Sequence, residues 1–269
     1  MIVLFSITFS FHGKAQENKV FNVGDVSFTM VFVQGGSFQM GHTIEQGSEY
    51  NFNQLPVHKV TLDGFFIGQT EVTQALWVAV MGSNPSKYRD DSSCPVDQVS
   101  WADCMVFIGK LNELTGMKFR LPTESEWEFA ARGGTKSRGY KYSGGNRLYE
   151  VAWCGEPHYA PKHPVGTKKA NELGIFDMTG NVSEWCSDYY AHWPTEFAAR
   201  PQTNPKGPGE AYYSGQRIIQ PHVLRGSCNE NDDNESYLCT RGGLTDVDFR
   251  SSRGDCIGLR LAMDVIDGE

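Results

Sequence analysis

The sequence predicts an α+β fold, and three observations carry that expectation. Residues 26–41 and 58–73 alternate apolar side chains with small or polar ones, the period of a strand. Between residues 73 and 133 the period becomes helical in three segments, each preceded by a capping residue. Beyond residue 133 the chain is rich in Gly, Pro, Asn, Tyr and Trp, and strand character returns only near 225 and at 257–263.

VSFTMVFVQGGSFQMG (26–41) breaks at Gly35-Gly36 and predicts a hairpin; HKVTLDGFFIGQTEVT (58–73) predicts a second pair turning at Asp63-Gly64. Thr73 then caps a helix through Ala75, Leu76, Ala79 and Val80 that stops before Gly82. In SWADCMVFIGKLNELTG (100–116), Ser100 and Asp103 have capping-box spacing, Met105, Val106, Leu111 and Leu114 are expected to form the apolar face, and Gly116 ends the helix. Thr123 and Glu126 cap a third helix that ends at Gly133, with Trp127, Phe129 and Ala130 as core residues. Long loops pinned by aromatics follow, and VLRGS (223–227) is expected to pair with IGLRLAM (257–263).

A chain of 269 residues with 12% aromatic side chains can bury one sizeable core, and without repeats or a linker it reads as a single domain over residues 20–266. The 32 acidic and 24 basic side chains leave a net charge of -8, which repels phosphate backbones and anionic lipid, so nucleic acid and membrane surfaces are not expected as partners. Residues 1–16, MIVLFSITFSFHGKAQ, have the outline of a signal peptide without a basic n-region, and predict a chain that is secreted, periplasmic or at the cell surface. No other stretch is long and apolar enough to span a membrane.

Seven cysteines (94, 104, 154, 186, 228, 239 and 256) form no CxxC pair and no zinc-type spacing with histidine. Two of them bracket GSCNENDDNESYLC (226–239), where a thiolate pair would sit among Glu230, Asp232, Asp233 and Glu235. Those acids are expected to raise thiol pKa values and to disfavour nucleophilic chemistry or copper ligation.

Six ordered motifs, GGSFQMG (35–41), FFIGQTEVTQALW (65–77), PVDQVSWADC (95–104), FRLPTESEWEFAARGG (119–134), GIFDMTGNVSEW (174–185) and VLRGS followed by IGLRLA (223–262), resemble the sulfatase-modifying factor, or formylglycine-generating-enzyme-like, family. The resemblance implies a C-type-lectin-like fold, with a small twisted antiparallel sheet, flanking helices and much irregular chain. Catalytic members oxidise a sulfatase cysteine with oxygen and a copper ion held by a CxxxxC pair just after a GGS motif. Here the turn is Arg225-Gly226-Ser227, and Glu230 and Glu235 stand where that pair would be, so the resemblance implies neither copper nor catalysis. GIFDMTGNVSEW is similar to the family's calcium-binding turn. The implied ligands are the Asp177 side chain, the carbonyls of Gly180 and Val182, and the Glu184 side chain, oxygen donors of the kind a hard cation takes.

A loop-built face over residues 226–256 is the expected binding surface for a protein or glycan ligand. Its contact residues are Asn229, Asn231, Asp233, Tyr237, Arg241, Asp246, Phe249, Arg250, Ser252 and Arg253, adaptable polar groups with a few aromatic anchors. The segment is also similar to the variable region of target proteins of diversity-generating retroelements, which closes on a motif like IGLRLA; a diversified copy and a drifted, solvated loop are both open readings. The expected function is a secreted, non-catalytic, calcium-stabilised binding domain. The alternatives are an oxidase with a displaced cysteine pair and a structural component of an envelope or surface assembly.

Overall fold

The computed structural model describes residues 17–48, 52–207, 213–214, 217–218, 221–231, 238–242 and 254–265. The leader at residues 1–16 lies outside them.

Strands β1 (Lys19–Val23) and β2 (Val26–Val33) form the opening hairpin, turning at Gly24, whose φ of +56° suits glycine. Strands β3 (Gly36–Met40), β4 (His58–Leu62) and β5 (Phe65–Gly68) change the expected pairing. β2 does not fold back on β3, nor β4 on β5. Instead β3 pairs with β4 from Met40↔His58 to Gly36↔Leu62, and β2 pairs with β5 from Val33↔Phe65 to Met30↔Gly68. The four strands are thus one antiparallel ribbon that bends between two sheets. The bend needs glycine, because a Cβ on Gly35 would lie 2.7 Å from the Leu62 carbonyl oxygen.

The helices follow their caps. α1 (Gln74–Met81) is capped by Thr73 and closed by Gly82; α2 (Trp101–Thr115) has a complete Ser100/Asp103 capping box and closes at Gly116. The buried stripe of α2 is Cys104, Phe107, Ile108 and Leu111, the i, i+3, i+4, i+7 set, while Met105, Val106 and Leu114 are 40%, 53% and 61% exposed. The expected face was therefore turned away from the true one, because Met105 and Val106 fall outside that stripe. Trp77 of α1 stacks on Phe107 of α2 with centroids 4.8 Å apart. After β6 (Phe119–Arg120), α3 (Glu124–Ala131) is buried along its whole length, and a short α4 (Leu148–Val151) follows.

The rest is irregular chain around short strands: β7 (Ser183–Tyr189), β8 (Gln202–Thr203), β9 (Tyr213–Ser214), β10 (Arg217–Ile218), β11 (His222–Arg225), β12 (Arg241–Gly242), β13 (Ile257–Leu259) and β14 (Ala262–Asp264). The segments at 223–227 and 257–263 do not pair with each other. β11 and β13 flank β7 in the order β12-β11-β7-β13, and β14 crosses into the five-stranded sheet β1-β2-β5-β14-β6. β7 was not visible as a strand because Glu184, Trp185 and Cys186 are all buried, so its sequence shows no alternation.

Period-two alternation divides the core. Met30, Phe66 and Met263 face α1 and α2, whereas Val31, Val33, Phe65 and Ile67 face Trp127, Phe129 and Ala130 of α3. Since Ser100 and Asp103 satisfy each other's backbone donors at the start of α2, Ser100→Ala should cost about 1 kcal/mol of stability, measured by urea denaturation at pH 7; an unchanged midpoint would show that the cap is dispensable.

Candidate functional site

The centre of the molecule is a wholly buried ion pair. Arg260, between β13 and β14, donates from Nε and Nη2 to the Glu184 carboxylate at 3.0 and 2.7 Å, from Nη1 to the Gly68 carbonyl at 2.9 Å and from Nη2 to the Phe176 carbonyl at 2.9 Å. Trp127 Nε1 adds a 2.7 Å bond to Glu184 Oε2. Both Glu184 oxygens are therefore engaged by protein donors. This differs from the sequence reading, which gave that carboxylate to a cation: the Arg260 guanidinium, brought in between β13 and β14, occupies it instead.

The turn beside this pair holds three positive φ angles, at Asp177 (+55°), Gly180 (+82°) and Asn181 (+61°). A Cβ on Gly180 would lie 2.1 Å from the Trp153 carbonyl oxygen, so only glycine fits. Asp177 Oδ2 accepts from the Gly166 amide at 2.6 Å, but Asp177 Oδ1 and Glu71 Oε1 are buried with no hydrogen-bond partner. Burial, and then the neighbouring Asp177 charge, push the Glu71 carboxyl well above the usual range; burial also raises Asp177. Two acids with open oxygens in one electrostatic neighbourhood fit a bound cation. Among the described residues no three His, Cys, Asp or Glu side chains converge on one point, so such an ion would depend on carbonyl oxygens as well.

A second buried network holds the base of the C-terminal segment. Arg225 donates to Glu124 at 3.0 Å and to Glu128 at 2.8 Å, and its Nη1 reaches the Leu238 carbonyl at 3.3 Å. Arg241 forks onto Glu124, donates to the Asn53 carbonyl at 2.7 Å and lies 4.1 Å over the Trp193 ring. Burial alone would raise the Glu124 pKa, but Arg241 and Arg225 hold it below its usual value. Asn229 is fully buried: its Oδ1 accepts from Lys162 Nζ at 2.6 Å, and its Nδ2 donates to Glu156 at 2.8 Å. Asn231 Oδ1 accepts from the Cys228 amide at 2.7 Å.

Asn229 and Arg241, expected on the contact face, are therefore corrected to framework residues, because both side chains are consumed by partners far away in sequence. Asn231 shapes the turn. Asp233, Tyr237, Asp246, Phe249, Arg250, Ser252 and Arg253 lie outside the described residues. The bracketing cysteines do not meet either. Cys239 is buried in a cluster with Cys154 and Val151, 3.6 Å from His42 Nδ1, and burial pushes its thiol up to about 12. Cys228 instead meets Cys256. A hydrogen bond from that thiol lowers the Cys228 pKa, where the surrounding acids were expected to raise it.

One feature escaped the sequence reading. A cavity of about 340 Å³ lies beside the end of β7, lined by His58, Asp188, Tyr189, Trp193, Phe197 and Arg241. Only the cluster of aromatics and histidine in YYAHWPTEF (189–197) hinted at it. Asp188 accepts from the Glu124 amide at 3.0 Å and from Ser187 Oγ at 2.9 Å; burial and then the Glu124 charge push it up to about 7. An apolar-walled cavity with a carboxyl of this kind can hold a neutral hydrogen-bonding group. Because the folded chain keeps the Asp188 proton up to about pH 7 while the unfolded chain loses it near pH 4, this group's contribution to stability falls as pH rises between those values. Asp188→Asn should remove that fall, gaining up to about 4 kcal/mol relative to the parent between pH 4 and 7; parallel pH profiles in denaturant melts would reject the assignment.

The comparisons agree with this architecture. Residues 17–265 match the model of the sulfatase-modifying factor enzyme 1-like domain. Chaperone protein LppX of Paenibacillus barcinonensis is 35% identical over 62% of this chain and 74% of its own length. The formylglycine-generating enzyme of Streptomyces coelicolor is 29% identical over 87% of this chain and 88% of its own. The solved structure of Treponema denticola variable protein 1 superposes with a TM-score of 0.77 at 31% identity, covering 93% of this chain and all of that one. No helix among the described residues is long and apolar enough to cross a membrane. With its family match running almost end to end, the chain belongs to the sulfatase-modifying factor enzyme 1-like domain family.

Proposed function

We propose that this chain is a non-catalytic binding member of the family, acting outside the cytoplasm, which presents residues 226–256 to a protein or glycan ligand. One observation carries the reading: the described residues that anchor the segment are fixed by buried polar contacts with distant parts of the chain. Arg225, Asn229, Arg241 and Arg260 are each at most 5% exposed and bonded to distant partners. Residues 232–237 and 243–253 fall between these anchors in sequence and are the stretches that would meet the ligand. The likeness to a variable protein supports the same reading. The absence of cysteine at 230 and 235 supports it from the chemical side, since Glu230 accepts the Tyr159 amide at 2.8 Å and so has a structural use.

Screening the purified chain on protein and glycan arrays should yield a ligand whose affinity drops at least about tenfold when Asp233, Tyr237, Phe249 and Arg250 are replaced by alanine, with the melting temperature unchanged. Conversion of cysteine to formylglycine in a Cys-x-Pro-x-Arg peptide would establish the oxidase reading instead.

Calcium fits the turn at 177–184. Asp177 and the Gly180 and Val182 carbonyls would hold it, with the open oxygen of Glu71 rather than Glu184 supplying the second acid; the ion would neutralise acids that the protein buries without a partner. Saturating calcium should then stabilise the chain by about 2–3 kcal/mol at a hundredfold excess over the dissociation constant. Equal melting temperatures in calcium and in chelator would remove the ion from this account.

A further inference from the structure

Cys228 and Cys256 stand 28 positions apart in sequence and together in space. The strand arrangement causes this. β11 runs antiparallel to β7 with Arg225 opposite Glu184, β13 runs parallel to β7 with Ile257 opposite Ser183, and so the residues just after β11 and just before β13 arrive at the same end of β7. Backbone bonds fix both arrivals: the Ser183 amide donates to the Cys256 carbonyl at 2.8 Å, and the Asn229 amide to the Asn181 carbonyl at 3.1 Å. The Cys256 thiol lies within hydrogen-bonding reach of both the Cys228 sulfur and the Glu230 carboxylate, and its one proton can go to either.

The surroundings are those of a reactive pair. Lys162 Nζ donates to Cys256 Sγ at 3.2 Å and lies 3.7 Å from Glu230 Oε1. Glu230 in turn bonds His158 Nδ1 and the Tyr159 amide. Cys228 is buried, whereas Cys256 is only partly so, which gives a small reagent one sulfur to reach. Within the pair the hydrogen bond with Cys228, and then burial, push the Cys256 thiol well above its usual range, while the bond from Cys256 holds Cys228 below it, so Cys228 is the thiolate of the two. Cys94, Cys104 and Cys186 are pushed up by burial.

We propose that Cys228 and Cys256 form a reversible disulfide by exchange with a small-molecule disulfide, closing the base of the 228–256 segment. In the first step Cys256 passes its proton to the Cys228 thiolate to which it is hydrogen-bonded, and its sulfur attacks one sulfur of the reagent. That S–S bond breaks, one thiolate leaves with the bonding pair, and a mixed disulfide remains on Cys256. Cys228, its thiolate favoured by Lys162, then attacks the Cys256 sulfur. The Cys228 proton passes to solvent, the mixed S–S bond breaks, the second thiolate leaves, and both leaving groups take protons from solvent. Two protein thiols are oxidised and one small disulfide is reduced to two thiols. The bond joins the exit of β11 to the entry of β13, so it fixes the two ends of the segment whatever that segment binds. The inference is independent of the binding reading.

The test is equilibration of the full chain in graded ratios of reduced and oxidised glutathione, followed by acid quench, alkylation of free thiols and peptide mass mapping. The expected product is an intramolecular cross-link between the Cys228 and Cys256 peptides that is lost on adding excess reductant. Cys239→Ser should leave it intact. Cys228→Ser and Cys256→Ser should each abolish it, the former leaving glutathione attached at Cys256. A cross-link that involves Cys239 or Cys154, or persistence of both thiols free in fully oxidised glutathione, would overturn the proposal; because the mapping is read on the parent chain, poor folding of a variant does not obscure it.

Discussion

The pairing of Arg260 with Glu184 is the constraint from which the rest of the structure is hung. Arg260 occupies the two-residue passage between β13, in the four-stranded sheet, and β14, in the five-stranded one. Its guanidinium bonds β7 through Glu184, the end of β5 through Gly68 and the turn before residue 177 through Phe176. A buried ion pair is costly unless every lone pair and N–H finds a partner, because desolvation outweighs the attraction of the two charges alone. Here Trp127 and two carbonyls supply the remaining partners, so the pair can only be satisfied when α3, both sheets and the 174–184 turn are all in place. It therefore selects one arrangement of these elements over other compact ones.

A consequence is that charge in this protein is distributed by depth. The pair Arg225–Glu128 and the fork of Arg241 on Glu124 repeat the same solution beneath the C-terminal segment, with each guanidinium also bonded to main-chain carbonyls. Glu71 and Asp177 do not share in it. Each keeps one buried oxygen without a donor, beside a guanidinium already engaged by Glu184. The local excess of acid is thus a property of the turn itself, and it explains why burial raises the pKa of both groups while Arg225 and Arg241 hold that of Glu124 down.

What the sequence disclosed was what is encoded locally. Thr73, Ser100 and Thr123 each sit within a turn of the helix they start, and all three helices lie where those caps put them. Strand partners are non-local, and there the reading failed: GG at 35–36 and DG at 63–64 look like hairpin turns but are the two sides of one bend. The site was hidden for a related reason. Arg225, Asn229 and Arg241 look like solvated polar residues because their partners Glu124, Lys162 and Glu156 are 67 to 117 positions away, and a polar side chain reads as buried only once its partner is known. The acids of GSCNENDDNESYLC masked the pairing of Cys228 in the same manner, since both Lys162 and Cys256 come from outside the stretch.

Saturation of the frame also bears on how one fold can serve several chemistries. Function resides in sites placed on a fold rather than in the fold itself, and a site can change only where change does not unbalance buried groups. Replacing Arg260 would leave Glu184 as an uncompensated buried charge, at a cost of about 3–5 kcal/mol, a large share of a domain's stability, whereas with Arg225 replaced Glu124 would keep Arg241 and Glu128 would keep Arg132. Residues 232–237 and 243–253 supply neither partner of the pairs named above. Glu230 shows where the boundary runs. It stands in the C-terminal segment, yet its bonds to Tyr159, His158 and Cys256 tie it to the 158–162 stretch and to the entry of β13. A cysteine at that position would have to give up those contacts. Glu230 is therefore part of what holds the segment's two ends together, so a cysteine placed there would require the contacts around Lys162 to be rebuilt.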